Sequence, residues 1–304
     1  MTIDKYYKKE LLIKKNLNSL KISINLKDIK KYYIPLLNII NFYNSKKVLN
    51  VGISGAQGSG KTRLSKILKV LVENILKKKV LILSIDDFYH TKSDRQCLAN
   101  NIHPLLKTRG VPGTHDIELL NQTINDVQNK AYKNLEIPVF SKFFDERMQK
   151  RIKISFIPDI VLLEGWCVKA SPVPKKILIN PINELEKNFD KDYVWRNYYN
   201  NQLKNNYKEL FSKIDLNIFL KVPNFRRVFD WRKLQEIESP NSDYKKNEKV
   251  NDKKLKYFIM HYEKITKWML KDMQKKSDIC IMIDNKHRFS NIKFNRRFKK
   301  IYED

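Results

Sequence analysis

Lys61 and Thr62 close the run GAQGSGKT, residues 55–62, which fits the pattern G-x-x-x-x-G-K-[ST] at every fixed position. That spacing lets the backbone N–H groups of Gly55, Ala56, Gln57, Gly58, Ser59 and Gly60 curl around phosphate oxygens, at the positive end of a helix that opens with Lys61, Thr62 and Arg63. Lys61 would reach β and γ phosphates, and the Thr62 hydroxyl would bind Mg²⁺. The expected ligand is therefore a nucleoside triphosphate with Mg²⁺. All seven glycines of the 304-residue chain fall in three short motifs, VGISGAQGSGKT at 51–62, RGVPGTHD at 109–116 and LLEGW at 162–166. Glycine has been kept where backbone must approach something closely or turn with positive φ.

Three further groups of side chains could act on a bound phosphate. In SIDDFYHT, 84–91, Asp86 and Asp87 follow an apolar run, so one carboxylate could serve as general base for a substrate hydroxyl while the other orders metal-bound water or a nearby loop. A helix cap or turn aspartate also fits either residue taken alone. Tyr89 follows on the same turn. In IPDIVLLEGW, 157–166, a hydrophobic run ends in Glu164, which would hold a Mg²⁺-bound water, so Thr62, Asp86 and Glu164 form the expected metal set. In NFRRVFDWRKLQE, 224–236, helical spacing separates Arg232 from at least one of Arg226 and Arg227, and an arginine on a mobile helix is a common source of positive charge over a migrating phosphoryl group.

An acceptor side is suggested by RGVPGTHD. Arg109, Thr114, His115 and Asp116 offer a guanidinium, a hydroxyl, an imidazole and a carboxylate within eight residues. Arg109 could pair with a carboxylate or phosphate. Asp116 is also placed to cap the helix starting IELL, and His115 fits a structural hydrogen-bonding role equally well. The segment FSKFFDERMQKR, 140–151, adds Lys142, Asp145 and Arg147 as substrate-side groups, with a charged surface hairpin as the other reading.

These residues need a scaffold that gathers them. Short apolar runs at 48–53, 80–85, 160–163, 216–222 and 279–283 alternate with helical patterns, which predicts α/β architecture with a parallel sheet sandwiched by helices. Ligands of such sheets collect at the carboxyl ends of the strands. The glycine loop, Asp86-Asp87, Glu164-Gly165 and residues 284–288 should thus converge. Residues 1–46 read as an N-terminal helical extension and 47–304 as the kinase-like domain, with the arginine helix as a lid and the polar stretch 239–252 as a flexible flap.

Bulk properties narrow the classes. No apolar run approaches the length of a membrane span, and the N-terminus lacks a signal-peptide block, so a cytoplasmic protein is expected. Cys97, Cys167 and Cys280 are far apart and without metal-ligand spacing, as in a reducing compartment. The net charge of +28 is the footprint of nucleic-acid binding, yet lysine exceeds arginine about four to one and is spread along the whole chain. Nonspecific, salt-sensitive adhesion to polyanions is expected from it. A nucleotide-switched nucleic-acid-binding protein also fits the charge, but RGVPGTHD has no task in one.

Taken in order, GISGAQGSGKT, SIDDFYHT, RGVPGTHD, IVLLEGWCV, VFDWRKLQE and CIMIDNKHRF resemble the D-glycerate 3-kinase family of P-loop kinases, including its fungal and bacterial relatives, across residues 48–288. More distantly, SIDDFY and LLEG are similar to uridine kinase, phosphoribulokinase and bacterial pantothenate kinase. The resemblance implies Lys61 and Thr62 on ATP and Mg²⁺, Asp86 as base, Glu164 at the metal, Arg232 in the lid, and D-glycerate as a small anionic acceptor converted to 3-phosphoglycerate. Another nucleoside, pantothenate-like or sugar-acid acceptor would keep the same chemistry. Two departures lie on the acceptor side. The segment the family writes P-x-[FY]-D-K-S…G-D-R here reads FSKFFDERMQKR, without its glycine, and the helix after the lid reads His261-Tyr262-Glu263-Lys264 in place of Arg-Tyr-x-Pro.

Overall fold

In the computed structural model, which describes residues 2–43, 47–238 and 244–298, the five apolar runs become five parallel strands. They are β1 (Leu49–Gly55), β2 (Val80–Ser84), β5 (Ile160–Gly165), β6 (Leu216–Lys221) and β7 (Ile279–Ile283). A hairpin of β3 (Leu135–Ser141) and β4 (Glu146–Ile154) forms a separate two-stranded sheet, and β8 (Phe289–Phe294) pairs antiparallel with β7. The main sheet runs β2-β5-β1-β6-β7-β8, with β1 inside it. The sheet is thus mostly parallel, with an antiparallel edge.

Alternation explains why the strands lie where they do. Ile160 and Leu162 of β5 join an apolar cluster on one face, whereas Val161 and Leu163 join the cluster on the other, and all four are sealed from solvent. The helix Lys61–Leu71 lays Leu64, Ile67, Leu68 and Leu71 on the first face, at the spacing of one helical stripe. Helices of residues 2–43 bury Ile13, Leu17, Leu36, Leu37 and Ile40 in that same cluster. The second face is covered by the helix Ile117–Asn129, by Trp195 and Tyr199, and by the Met269 and Met273 side of the long helix Glu248–Lys276.

Several boundaries differ from the sequence reading. The run 80–85 leaves the sheet at Ser84, and Ile85–Phe88 form a 3₁₀ turn that carries both aspartates. The run 160–163 continues to Gly165, so Glu164 lies within a strand and pairs in register with Ile53 and Ser84 of its two neighbours. Of the expected flap, residues 244–252 are helical, and 239–243 lie outside the described residues. Among the described residues no helix is long and apolar enough to cross a membrane.

Candidate active site

Glu164 sits between the end of β1 and the end of β2, which brings it beside the phosphate loop on one side and the aspartate turn on the other. Its Oε1 accepts a hydrogen bond of 2.9 Å from the Thr62 hydroxyl. Lys61 Nζ donates to the Ala56 carbonyl at 3.0 Å. Removal from water lowers the pKa of this ammonium against the opposing pull of Glu164 and Asp86. Around these groups a cleft of about 130 Å³ is lined by Gln57, Gly58, Gly60, Lys61, Thr62, Asp86, Tyr89, Arg109, Lys142, Glu164 and Arg232. The glycine loop, Asp86 and Glu164 converge at the carboxyl edge of the sheet as expected, whereas His287 and Arg288 of the 284–288 segment border a second cavity on the outer side of the loop.

The two aspartates part company at the 3₁₀ turn. Asp86 faces the cleft and forms an ion pair of 2.6 Å with Lys142, which stands on the connection between β3 and β4. Burial pushes the Asp86 carboxyl up, but Lys142, His115 and Lys61 together hold it at about 2. Asp87 turns toward the hairpin and accepts from the Phe140 N–H at 3.2 Å. Its burial, with the charge of Asp86 beside it, raises it to about 6.

The acceptor-side residues divide in the same way. Tyr89 and Arg109 line the cleft. The Arg109 guanidinium lies between the Phe140 and Phe258 rings, 5.6 and 5.7 Å from their centres, and is ion-paired to Asp145. Thr114, His115, Asp116, Asp87 and Arg147, all expected to touch an acceptor, are not among the residues lining the cleft, and most of their polar atoms are engaged within the protein, while His115 Nε2 is buried without a hydrogen-bond partner. The Thr114 hydroxyl accepts from Gly110 N and donates to Val111 O, folding its own loop. Asp116 caps its helix through the Leu119 N–H at 3.0 Å and pairs with Arg147 at 3.2 Å. Arg147 also donates to the Tyr89 carbonyl at 3.0 Å, tying the hairpin to the aspartate turn. His115 stacks on Tyr89 with centroids 4.3 Å apart. Tyr207 OH accepts from Gly113 N–H, so its own proton is directed to His115 Nδ1 at 2.7 Å, and burial depresses that imidazole to about 3.

Behind the wall lies a buried clamp. Arg95, on a helix begun by a Thr91–Asp94 capping box, donates to the carbonyls of His90, Lys107 and Asp145 and to the Asp145 carboxylate at 3.0 Å. Asp145 takes the left-handed conformation at φ 53°, which asparagine, aspartate or glycine adopts with least strain. Its carboxylate therefore holds Arg95 and Arg109 at once.

The arginine helix, Phe225–Ile237, follows β6 after an Asn224 cap and lies directly over the phosphate loop. Gly58 sits at φ 74°, and a Cβ there would come within 2.9 Å of Trp231 Cβ, so only glycine lets lid and loop approach this closely. Arg232 enters the cleft, where it is bonded to Glu236 and to Gln235. Arg226 is exposed, and Arg227 bonds Asn285 at 3.0 Å. On the outer side of the loop, Ser59, Gly60 and Arg63 share a cavity of about 550 Å³ with Asn25, Tyr33 and Arg288. Its shared wall at Gly60 joins it to the cleft, so Ser59 and Arg63 face the second space rather than the first. Gly55 and Ala56 lie beneath the loop, where a Cβ on Gly55 would meet the Leu220 carbonyl at 2.8 Å.

Four cleft residues have no site role in the sequence reading, although three of them lie in motifs it quotes: Trp166, Gln235, Phe258 and Tyr262. Tyr262 OH donates to the Arg109 carbonyl at 3.0 Å and Trp166 Nε1 to the Gly110 carbonyl at 3.0 Å, so both shape the loop. Phe258 and Tyr262 are four apart on the long helix, a spacing indistinguishable from that of core residues.

A parallel sheet with a glycine loop at the end of β1, an acid at the end of the adjacent strand, a second acid facing both and an arginine lid over the loop defines a P-loop kinase. No family model matches the chain. It is 30% identical over 223 residues to the uncharacterised kinase mug58 of Schizosaccharomyces pombe, covering 70% of this chain and 77% of that protein. It is 29% identical over 264 residues to the chloroplastic D-glycerate 3-kinase of Arabidopsis thaliana, covering 78% of this chain and 54% of that protein. The solved D-glycerate 3-kinase of Cryptococcus neoformans has the same fold, with a TM-score of 0.68 at 22% identity over 86% of this chain and 98% of that one. The chain belongs to the glycerate-kinase-like family of P-loop kinases, and is an ATP-dependent small-molecule kinase.

Proposed function

We propose that this kinase transfers the γ-phosphate of ATP to a hydroxyl of a small anionic metabolite, and that the metabolite is D-glycerate, giving 3-phosphoglycerate. The observation that carries the reading is that Lys61, Thr62, Asp86, Arg109 and Arg232 face one small space. Lys61 would neutralise the β and γ phosphates, with the triphosphate wrapped by residues 55–60 and its nucleoside end directed past Gly60 toward Arg63. Asp86 would accept or orient the proton of the attacking hydroxyl, and Arg232 would place positive charge over the migrating group. Arg109, backed by Asp145 and flanked by two rings, would hold the carboxylate of the acceptor.

The same cleft suits Mg²⁺. Among the described residues no group of three or more His, Cys, Asp or Glu could cage a metal. The Thr62 hydroxyl with Glu164 and Asp86 is instead the sparse oxygen set that suits an ion ligated largely by nucleotide phosphates and water. When bound it would supply charge neutralisation at the phosphates. The small volume and the cation-rich wall support a compact, anionic acceptor.

Coupled ADP release across a panel of D-glycerate, pantothenate, nucleosides and sugar acids tests this directly. Turnover with D-glycerate well above the others is expected. Turnover with another acceptor and none with D-glycerate would replace the substrate, and release stimulated only by polynucleotide would replace the reading.

A further inference from the structure

Asp86 is paired with a cation that the proposed chemistry does not employ. Lys142 lies in the cleft wall, 2.6 Å from the Asp86 carboxylate, so the group read as the base has its oxygen occupied. A carboxylate oxygen taken up by an ammonium at this distance is not presented to a hydroxyl, so the approach of any hydroxyl, including that of water, is held back.

The backbone and side chain of Lys142 are held very differently. The turn itself is anchored, because Arg109 reaches the Lys142 carbonyl, Asp145 holds Arg109, and Asp145 is in turn held by Arg95, which is 1% exposed. The Lys142 side chain, in contrast, is 57% exposed and forms its ion pair with the Asp86 carboxylate. A lysine carries its charge on a flexible stem and can exchange one anion for another by rotating about it. Arg109 lines the same cleft, so an anion seated by Arg109 lies within the space that Lys142 also borders.

We propose that Lys142 is a specificity-determining residue, whose ammonium is drawn off Asp86 by the anionic group of the acceptor. A carboxylated acceptor then has two effects at once: it gains a second cation beside Arg109, and it frees Asp86 to face the acceptor hydroxyl. The triphosphate is matched by Lys61, the loop and Arg232, so with water or an uncharged alcohol no anion beside Arg109 competes for Lys142, and Asp86 stays covered. The ion pair thereby links phosphoryl transfer to the presence of the correct acceptor and suppresses futile hydrolysis of ATP. This deepens the kinase reading above and rests on it.

The test compares Lys142→Met with the wild type, using D-glycerate, its uncharged analogue glycerol, and no acceptor. The side chain is largely solvent-exposed, so folding is not at stake, and Lys142→Arg supplies a charge-retaining control. In Lys142→Met, the preference in kcat/KM for glycerate over glycerol should fall by about 10- to 100-fold through a higher KM for the acid. Acceptor-free ADP release should rise by about tenfold or more as Asp86 becomes available to water. Lys142→Arg should keep most of the preference. An unchanged preference, or an unchanged acceptor-free rate, overturns the role given to Lys142. A wild type that releases no ADP with any acid acceptor sinks the kinase reading itself, and is distinguished from the former result by the wild-type assay alone.

Discussion

Arg95→Met should be the most damaging single change outside the cleft, and its size can be worked from the contacts it breaks. Arg95 is 1% exposed and donates at 3.3 Å to His90 O, 3.0 Å to Lys107 O and 2.7 Å to Asp145 O, and it pairs with the Asp145 carboxylate. Asp145 is 35% exposed and keeps Arg109, so its carboxylate is not stranded. Three carbonyls lose their donor at about 1–3 kcal/mol each. Methionine fills much of the volume and the Asp145 carboxylate keeps a partner, so the lower part of that sum, about 3–5 kcal/mol, is the expected loss. For a chain of 304 residues that lowers Tm by roughly 5–8 °C. Urea unfolding and thermal melting measure it, and the KM for the acceptor should rise as the turn bearing Lys142 and Arg109 loosens. A loss below about 1 kcal/mol with an unchanged KM would refute the clamp.

Two further outcomes follow from geometry. Gly58→Ala puts a side chain at φ 74° against Trp231, which should cost about 1–2 kcal/mol and push the lid off the loop; kcat should fall, and a variant with wild-type stability and kcat would show that the lid does not seat there. His261 is 4% exposed, with Nδ1 directed at the carbonyls of Tyr257 and Phe258, and burial depresses it to about 4. A base depressed in the folded state stabilises the fold above its unfolded pKa, near 6.5, and that stability is lost as pH falls toward 4. His261→Asn, which retains a donor at the Nδ1 position, should flatten the decline in urea-unfolding stability between those limits by up to about 1.4 kcal/mol per pH unit, and an unaltered slope would contradict the neutral buried imidazole.

The phosphate loop was legible because it works through backbone geometry, which glycine spacing writes directly into the sequence. The five parallel strands were legible for a related reason: burial on both faces demands short continuous apolar runs. β4 was legible only through the alternative of a charged surface hairpin, because most of its residues, from Gln149 to Lys153, are exposed, leaving polar text without a strand's apolar run. The glycines of RGVPGTHD were read correctly as sites of close approach, but what approaches is protein: Tyr262 crowds Gly110, and Tyr198 crowds Gly113. The Asp86–Lys142 pair joins residues 56 apart across two sheets, and Tyr262 bonds a carbonyl 153 residues away. No local pattern encodes either contact. The cap that Asp116 gives its helix could be read from the sequence, whereas its ion pair with Arg147, 31 residues away, appears only once the chain is folded.

In the reaction proposed, Asp86 acts on the acceptor hydroxyl beside the phosphate cradle. Asp86→Asn keeps the shape of the side chain and leaves Lys61 and Thr62 in place, so nucleotide binding followed by calorimetry should be nearly unchanged. Acceptor-dependent ADP release by the same preparation should fall by about 10²- to 10⁴-fold. Wild-type ADP release from Asp86→Asn, with nucleotide bound as before, would contradict the account.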